Sequence, residues 1–181
     1  MSRTNLPVRE SLPDASKPLL DAVQKQLGSV PNLFLVVGQS PAALQGLLGL
    51  NAAMARTLDA KTRERIALAV AQVNGCDYCL SAHTYLGLNL AKLDEAEIMR
   101  ARQGSSADAK ANAAVAFAAS IARQRGRVSD AELQAVRSAG YTDAQLVEIV
   151  GCVAENFFTN FVNNVSQTEI DFPVVRAAEL S

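Results

Sequence analysis

The sequence predicts an all-α protein, because no segment shows the sustained alternation of apolar and polar residues that is typical of strands. Helix-capping residues, prolines and glycines instead divide the chain into apolar stretches of helical length. The 181 residues fit one domain of ordinary size that can bury its own core. We therefore expect a single-domain helical bundle.

The helices in the first half of the chain are delimited by prolines, glycines and caps. After an irregular segment over residues 1–15, the first helix is expected to begin near Ser16 and to end at Gly28, with Pro18 tolerated in its first turn. Ser40 and Asp59 are good N-caps for two of the helices that follow. These helices are expected over residues 32–38, 41–57, 61–74 and 76–88.

The second half contains two sequence signatures of capping boxes. Ser129 with Glu132 and Thr142 with Gln145 predict helices that run to residue 138 and to about residue 165. A short helix over residues 94–101 and an alanine-rich helix over residues 107–125 precede them. The helical domain is thus expected over residues 16–166. The tail, residues 167–181, carries apolar residues and is expected to pack onto the body or a neighbouring subunit.

Charge and hydropathy argue against several kinds of partner. The 17 basic and 18 acidic residues give a net charge of −1 without a basic cluster, so we expect no binding to nucleic acid or to an anionic membrane. The hydrophobic fraction of 49% is dispersed, and no run of about 18 uncharged apolar residues could span a bilayer. Residues 1–14 lack the apolar core of a secretory signal, so we expect a cytoplasmic protein.

The three cysteines suggest reactive rather than structural use. A chain without an export signal is not expected to carry a disulfide framework. Cys76 and Cys79 form a Cys-x-x-Cys pair that can close a disulfide with little backbone movement and can hold two electrons reversibly. Cys152 stands apart in an apolar helical stretch and is expected to be buried and inert.

The only histidine of the chain, His83, follows this pair at helical spacing. Residues three, four and seven apart share a helix face, so Cys76, Cys79 and His83 can point into one pocket. Gly75 predicts a helix break that places Cys76 near a helix start, where the macrodipole and unpaired amides favour a thiolate. Glu64 lies on the preceding helix and can reach the thiols only from a face that packs beside the next helix.

These residues resemble the core motif of the alkylhydroperoxidase D branch of the carboxymuconolactone decarboxylase superfamily. The resemblance spans about residues 40–91 and rests on Cys76, on Arg63-Glu64-Arg65-Ile66-Ala67 and on Cys79-Leu80-Ser81-Ala82-His83. Residues 160–164 and 168–173 resemble the ending of its peroxidase-related members. The resemblance implies an all-helical bundle that assembles into a trimer or hexamer, and we expect neither a cofactor nor a metal.

The resemblance also implies a function, reduction of alkyl hydroperoxides or hydrogen peroxide by a thiol peroxidase. In this reaction Cys79 attacks the peroxide, Cys76 resolves the product, and His83 with Glu64 relays the proton. Helix-dipole reasoning alone favours Cys76 as the nucleophile, but Cys79 lies one helical turn from His83 and Cys76 about two. A dithiol donor protein would reduce the enzyme. Tyr78 stands where the peroxidase prototype has a second histidine, so its part in the relay is open.

The same residues also fit other functions. A dithiol redox sensor or disulfide-exchange protein would use the pair without peroxide turnover, and a lactone decarboxylase would not need the pair at all. Zinc could take Cys76, Cys79, His83 and Glu64, but three ligands on one helix crowd the metal. Haem attachment fails because Leu80 stands where the motif needs histidine, and a thioredoxin fold fails for lack of strands.

Several polar and aromatic residues also have structural, non-catalytic interpretations. The arginines on either side of Glu64 also make a surface ion pair a possible, though less favoured, interpretation of that residue. Tyr78 and Tyr85 are expected to be pocket or interface aromatics without a catalytic role. A polar stripe on the last helix is expected to make inter-helix or subunit contacts, and its chemistry stays open. The stripe consists of Asn156, Asn160, Asn163 and Asn164.

Overall fold

The computed structural model describes residue 3 and residues 6–179, and within them the chain forms α-helices and no β-strand. The helices are α1 (Lys17–Leu27), α2 (Asn32–Val37), α3 (Pro41–Met54), α4 (Ala60–Val73), α5 (Asp77–Asn89), α6 (Glu95–Arg102), α7 (Ala109–Gln124), α8 (Asp130–Ser138) and α9 (Asp143–Ser166). The prediction of an all-α fold is confirmed. In this described part no helix combines the length and apolar character needed to cross a membrane.

Helix starts follow the predicted capping residues. The Ser129 side chain accepts from the Glu132 amide, and the Glu132 side chain accepts from the Ser129 amide, which closes the capping box of α8. Thr142 and Gln145 make the same exchange at α9, so both predicted boxes are confirmed. The predicted caps of α3 and α4 also accept backbone N–H groups of the first turn.

Some boundaries differ from expectation. α3 ends at Met54, where tight turn hydrogen bonds replace the helical ladder, and α7 starts at Ala109 because the side chain of Asp108 caps it. Short 3-10 helices occupy Arg9–Ser11 and Asp14–Ser16, where we expected irregular chain. Burial of Leu12, which is 4% exposed, anchors this segment in the core and favours local hydrogen bonding around it.

α4 is the central helix of the bundle. It packs against α5, α6, α7 and α9, and apolar side chains on several of its faces are fully buried. Ile66, Leu68 and Val70 each have 0% exposure. A helix enclosed in this way has few solvated positions, and polar side chains such as those of Arg65 and Gln72 bond groups outside the helix.

The turn between α4 and α5 contains Gly75, whose φ of 61° lies in the left-handed region that costs other residues strain. The predicted helix break is therefore confirmed. The Cys76 amide still donates to the carbonyl oxygen of Ala71, and Cys76 becomes the N-cap of α5. The turn thus places Cys76 just outside α5 and Cys79 in its first turn.

The chain after α9 lies along the body. The Val175 amide donates to Ser81 Oγ at 2.9 Å, and the Ala177 amide donates to Asp77 Oδ1 at 2.8 Å. A short 3-10 helix covers Ala177–Glu179. The two bonds tie the tail to the first part of α5, beside the cysteine pair.

Candidate functional site

Cys76 and Cys79 are joined in a disulfide at the start of α5, with Cα atoms 5.3 Å apart. Sγ of Cys76 accepts the backbone N–H of Cys79 at 3.2 Å and so caps the helix. Cys76 is 0% exposed and Cys79 is 2% exposed. The pair is therefore sheltered from bulk solvent, and a reactant would meet Cys79 in an internal space.

Such a space lies beside Cys79, as a cavity of about 290 Å³. Cys79, His83 and Glu64 line it, whereas Cys76 lies outside its wall. We expected all three residues of the Cys-x-x-Cys…His motif to face one pocket. Cys76 departs from this expectation because it precedes α5 as its N-cap, so the helical periodicity does not apply to it. Most of the remaining wall is apolar, including Leu33, Phe34, Leu47, Leu48, Leu86 and Phe172.

His83 and Glu64 form a hydrogen-bonded pair in this cavity. The Nδ1–H of His83 donates to Oε2 of Glu64 at 2.8 Å, and the two side chains are only 24% and 20% exposed. Burial alone would lower the pKa of His83, but the charge and hydrogen bond of Glu64 and the charge of Glu155 raise it above its usual value. With Nδ1 held by Glu64, Nε2 is the nitrogen left to exchange a proton.

The two arginines beside Glu64 are engaged elsewhere. Nε of Arg65 donates to Glu97 at 2.6 Å, and Nε of Arg63 donates to the carbonyl oxygen of Leu58 at 3.2 Å. Glu64 is thus paired with His83 rather than in a surface ion pair. The condition that Glu64 lies on a face packed beside the next helix is met, because α4 and α5 are in contact.

Glu155 on α9 is a second carboxylate in the cavity, and no motif of the sequence pointed to it. Its Oε1 accepts from Nδ2 of Asn51 on α3 at 2.7 Å. Burial raises the pKa of Glu155, against the lowering effects of Asn51, His83 and Arg63. An acidic residue within an apolar helix was its only sequence signal.

The asparagine stripe of α9 meets the turn between α4 and α5. Asn160 Oδ1 accepts from Asn74 Nδ2 at 2.9 Å, and Asn164 Nδ2 donates to the Asn74 carbonyl oxygen at 3.1 Å. These two confirm the predicted inter-helix contacts. Asn163 makes a different contact: its Nδ2 donates to Sγ of Cys79 at 3.3 Å. The helical spacing of the asparagines singled out Asn163, but it did not predict the contact with Cys79.

Tyr78 links α5 to α2 and to the tail. Its hydroxyl donates to Asp171 Oδ1 at 2.8 Å and accepts the backbone N–H of Leu33 at 3.0 Å. Its ring meets that of Phe172 edge-on at 6.0 Å, and Tyr85 lies 5.8 Å from the same ring. The expected placement of Tyr78 at a pocket is confirmed. Burial raises the pKa of Tyr78, so its hydroxyl stays protonated at neutral pH.

Cys152 is buried, as expected from the sequence, with 2% exposure. Burial raises the pKa of its thiol to about 12, so the thiol stays protonated near neutral pH. The carbonyl oxygen of Cys152 accepts from Asn156 Nδ2 at 2.9 Å within α9, so this member of the stripe stays within its own helix.

Metal binding was one alternative for the motif. Both sulfurs are used by the disulfide, and the imidazole Nδ1 is used by Glu64. Over residue 3 and residues 6–179, no group of three or more His, Cys, Asp or Glu side chains is arranged to hold a metal ion.

Part of the sequence matches a known protein family. Residues 40–119 match the sequence model of the Carboxymuconolactone decarboxylase family. A segment of 47 residues is 55% identical to an uncharacterized protein of Haemophilus influenzae. That match covers 25% of this chain and 42% of the relative, so it spans less than half of the relative's length.

Solved structures share the fold over almost the whole chain. A peroxidase-related protein of Ralstonia eutropha with an alkylhydroperoxidase core is 24% identical, with a TM-score of 0.82 and coverage of 94% of this chain and 92% of its own. A peroxidase-related protein of Silicibacter sp. is 24% identical, with a TM-score of 0.79 and coverage of 93% and 91%. A debrominase in complex with 2,3,4-tribromopyrrole is 20% identical, with a TM-score of 0.79 and coverage of 94% of each chain.

At these identities the structural likeness establishes the fold. The match over residues 40–119 supports the resemblance to the carboxymuconolactone decarboxylase superfamily that the motif predicts. The all-α fold is the one that the alkylhydroperoxidase-like, peroxidase-related structures have.

Proposed function

We propose that this protein is a thiol peroxidase that reduces organic hydroperoxides or hydrogen peroxide through Cys79 and Cys76. One observation carries the proposal: Cys79 lines a cavity that also holds the His83–Glu64 pair, and its sulfur is bonded to Cys76 outside the cavity wall. In the proposed reaction Cys79 is the nucleophile, His83 is the base and Cys76 is the resolving thiol. The peroxidase-related structural relatives support the same class of activity.

The first half of the reaction takes place in the cavity. Nε2 of His83 accepts the proton of the Cys79 thiol, while Glu64 holds the opposite ring nitrogen and stabilises the imidazolium. The thiolate attacks the terminal peroxide oxygen, so an S–O bond forms as the O–O bond breaks. The leaving alkoxide takes a proton from the imidazolium and departs as an alcohol. Cys79 is then a sulfenic acid.

The second half regenerates the dithiol. The Cys76 thiol attacks the Cys79 sulfur, an S–S bond forms, and the hydroxide of the sulfenic acid leaves as water with the Cys76 proton. A dithiol donor protein then reduces the disulfide, and its own two thiols are oxidised. This balance requires neither a cofactor nor a metal. The apolar wall of the cavity would suit the organic group of a hydroperoxide.

The two cysteines are expected to behave differently when each is replaced. Cys76→Ser should still consume one equivalent of peroxide and leave a sulfenic acid on Cys79 that dimedone traps, because only resolution is lost. Cys79→Ser should abolish rapid consumption. Stopped-flow peroxide titration with thiol counting before and after measures both, and Cys152→Ser is the control that should match the wild type.

Two outcomes would count against these roles. Dimedone labelling of Cys76 in Cys79→Ser at the wild-type rate would reverse them, and a disulfide to Cys152 would remove Cys76 from the resolving position. A second candidate, a dithiol redox sensor or disulfide-exchange protein without peroxide turnover, is favoured by the docking of the tail on Asp77 between the two cysteines, since a change of the disulfide there could alter the packing of the tail. It requires that a small disulfide oxidises the dithiol faster than an alkyl hydroperoxide does.

We also propose that the protein is a cytoplasmic homo-oligomer. α9 exposes apolar side chains along its outer surface, among them Val147 at 71%, Phe161 at 51% and Val165 at 68% exposure. Burying them against a second copy would remove this surface from water. Light scattering of Phe161→Glu should report a smaller species than the wild type. The same size for both proteins would exclude this surface from the interface.

A further inference from the structure

The side-chain amide of Asn163 lies against the sulfur of Cys79. Nδ2 and Sγ are 3.3 Å apart, and both residues are only 2% exposed. In the reaction proposed above, this sulfur is the atom at which bonds form and break. Asn163 therefore touches the reacting atom, although it lies on α9 and Cys79 lies on α5.

The strength of this hydrogen bond depends on the redox state of Cys79. A sulfur in a disulfide is a weak acceptor, whereas hydrogen bonds to ionised acceptors are roughly twice as strong as those between neutral groups. The hydrogen bond from the N–H of Asn163 is therefore strongest when the disulfide is reduced and Cys79 carries a negative charge.

The charges around Cys79 make such a donor useful. The charged and titratable groups that share the cavity with it are Arg63 and Glu64 on α4, Tyr78 and His83 on α5, and Cys152 and Glu155 on α9. Two of these are carboxyl groups, and a carboxylate opposes a further negative charge nearby. An amide N–H stabilises a thiolate without adding a charge to the cavity.

We propose that Asn163 is a further catalytic residue, which donates its Nδ2–H to the Cys79 thiolate and stabilises the nucleophile in its ionised form. The inference rests on the proposed function for the reaction, but ionisation of the thiol can be measured without peroxide.

The other end of the same amide supports this role. Among the described residues, Oδ1 of Asn163 is buried without a hydrogen-bond partner. Burying an acceptor in this way costs folding free energy, and a catalytic role of the same amide is one explanation for such a cost. The neighbouring Asn164, by contrast, donates to the backbone of Asn74 and links two helices.

The test uses the reduced protein with Cys79 as its only thiol, made by Cys76→Ser and Cys152→Ser. Thiolate formation is followed against pH by ultraviolet absorbance and by the rate of alkylation with iodoacetamide. Asn163→Leu should move the midpoint of the ionisation curve upward by about one pH unit, equivalent to about tenfold less thiolate at a given pH below it. Asn164→Leu is the matched control and should leave the curve unchanged.

An unchanged curve in a folded Asn163→Leu protein would overturn the proposal. Should leucine impair folding, Asn163→Asp decides, since it keeps the shape of the side chain and replaces the donor with a carboxylate, which should raise the midpoint further. If Asn163→Leu shifts the ionisation curve but the wild-type protein does not reduce peroxide, the proposed function is contradicted and the role of Asn163 in ionisation stands. If the wild-type protein reduces peroxide but Asn163→Leu leaves the curve unshifted, the proposed function stands and the role of Asn163 is contradicted.

Discussion

His83 is subject to two opposing influences on its pKa. Burial disfavours the imidazolium, while the carboxylate of Glu64, 2.8 Å from Nδ1, and the charge of Glu155 favour it and prevail. Since only the neutral imidazole can accept the Cys79 proton, peroxide reduction should increase as pH rises through a value above the ordinary histidine pKa of about 6.5.

Glu64→Gln should therefore move the acid limb of the kcat/KM profile to lower pH. The substitution removes the main attraction for the imidazolium and leaves burial, which lowers the pKa of His83. His83→Gln is the reference variant and should lose the limb and roughly 100-fold in rate, the ordinary scale of general-base catalysis. Stopped-flow rates across the pH range measure both. An acid limb of Glu64→Gln at the wild-type position would show that the limb does not report His83.

Among the helices, α6 is attached to the rest of the bundle by Glu97. This carboxylate is 5% exposed and accepts from Nε of Arg65 at 2.6 Å and from the Ala107 amide at 3.0 Å. The hydroxyl of Ser106 also donates to it. Glu97 thus joins α4, α6 and the segment that leads into α7. Burial would raise the pKa of Glu97, but these hydrogen bonds and the charge of Arg65 lower it.

Glu97→Ala should lower the free energy of unfolding by about 3 kcal/mol, because removing one partner of a buried ion pair leaves the other charge uncompensated. The contribution of Glu97 should be present above its unfolded pKa of about 4.3 and lost as pH falls through the lowered folded value. Urea titrations at several pH values measure it. Exposed Glu95 on the same helix is the control, and an equally small loss for both variants would contradict the anchoring role of Glu97.

Across the whole molecule, the tail covers the helices that carry the site. Asp171 accepts from the Tyr78 hydroxyl at 2.8 Å and from the Asn32 amide at 2.9 Å. Phe172 adds its ring to the cavity wall and to the aromatic contacts of Tyr78. Tail, α2 and α5 therefore meet at one hydroxyl group.

Tyr78→Phe should lower the free energy of unfolding by about 1 to 3 kcal/mol, since the buried amide of Leu33 loses its acceptor. It should also speed proteolytic cleavage of the tail. Denaturant unfolding and limited proteolysis measure the two effects. Tyr85→Phe is the matched control, because the Tyr85 ring also contacts Phe172 and is 43% exposed. If both variants were cleaved at the wild-type rate, the hydroxyl would not hold the tail.

Local chemistry accounts for what could be predicted. Caps such as Asp59 and Ser129 accept hydrogen bonds from amides three residues away, and the break at Gly75 is a property of one residue. Helix boundaries could therefore be assigned from the chain alone, to within a few residues. The spacing of Cys79 and His83 on one helix face was equally local.

By itself, the sequence determined the helices and the identity of the groups that carry the proposed chemistry. Only the tertiary structure decided which of them meet. Asn163 reaches a sulfur 84 positions earlier, and Asn51 bonds Glu155 across 104 positions. Both contacts depend on how α9 packs against α3 and α5. Such packing is a property of the whole core, since each helix surface must fit all of its neighbours at once.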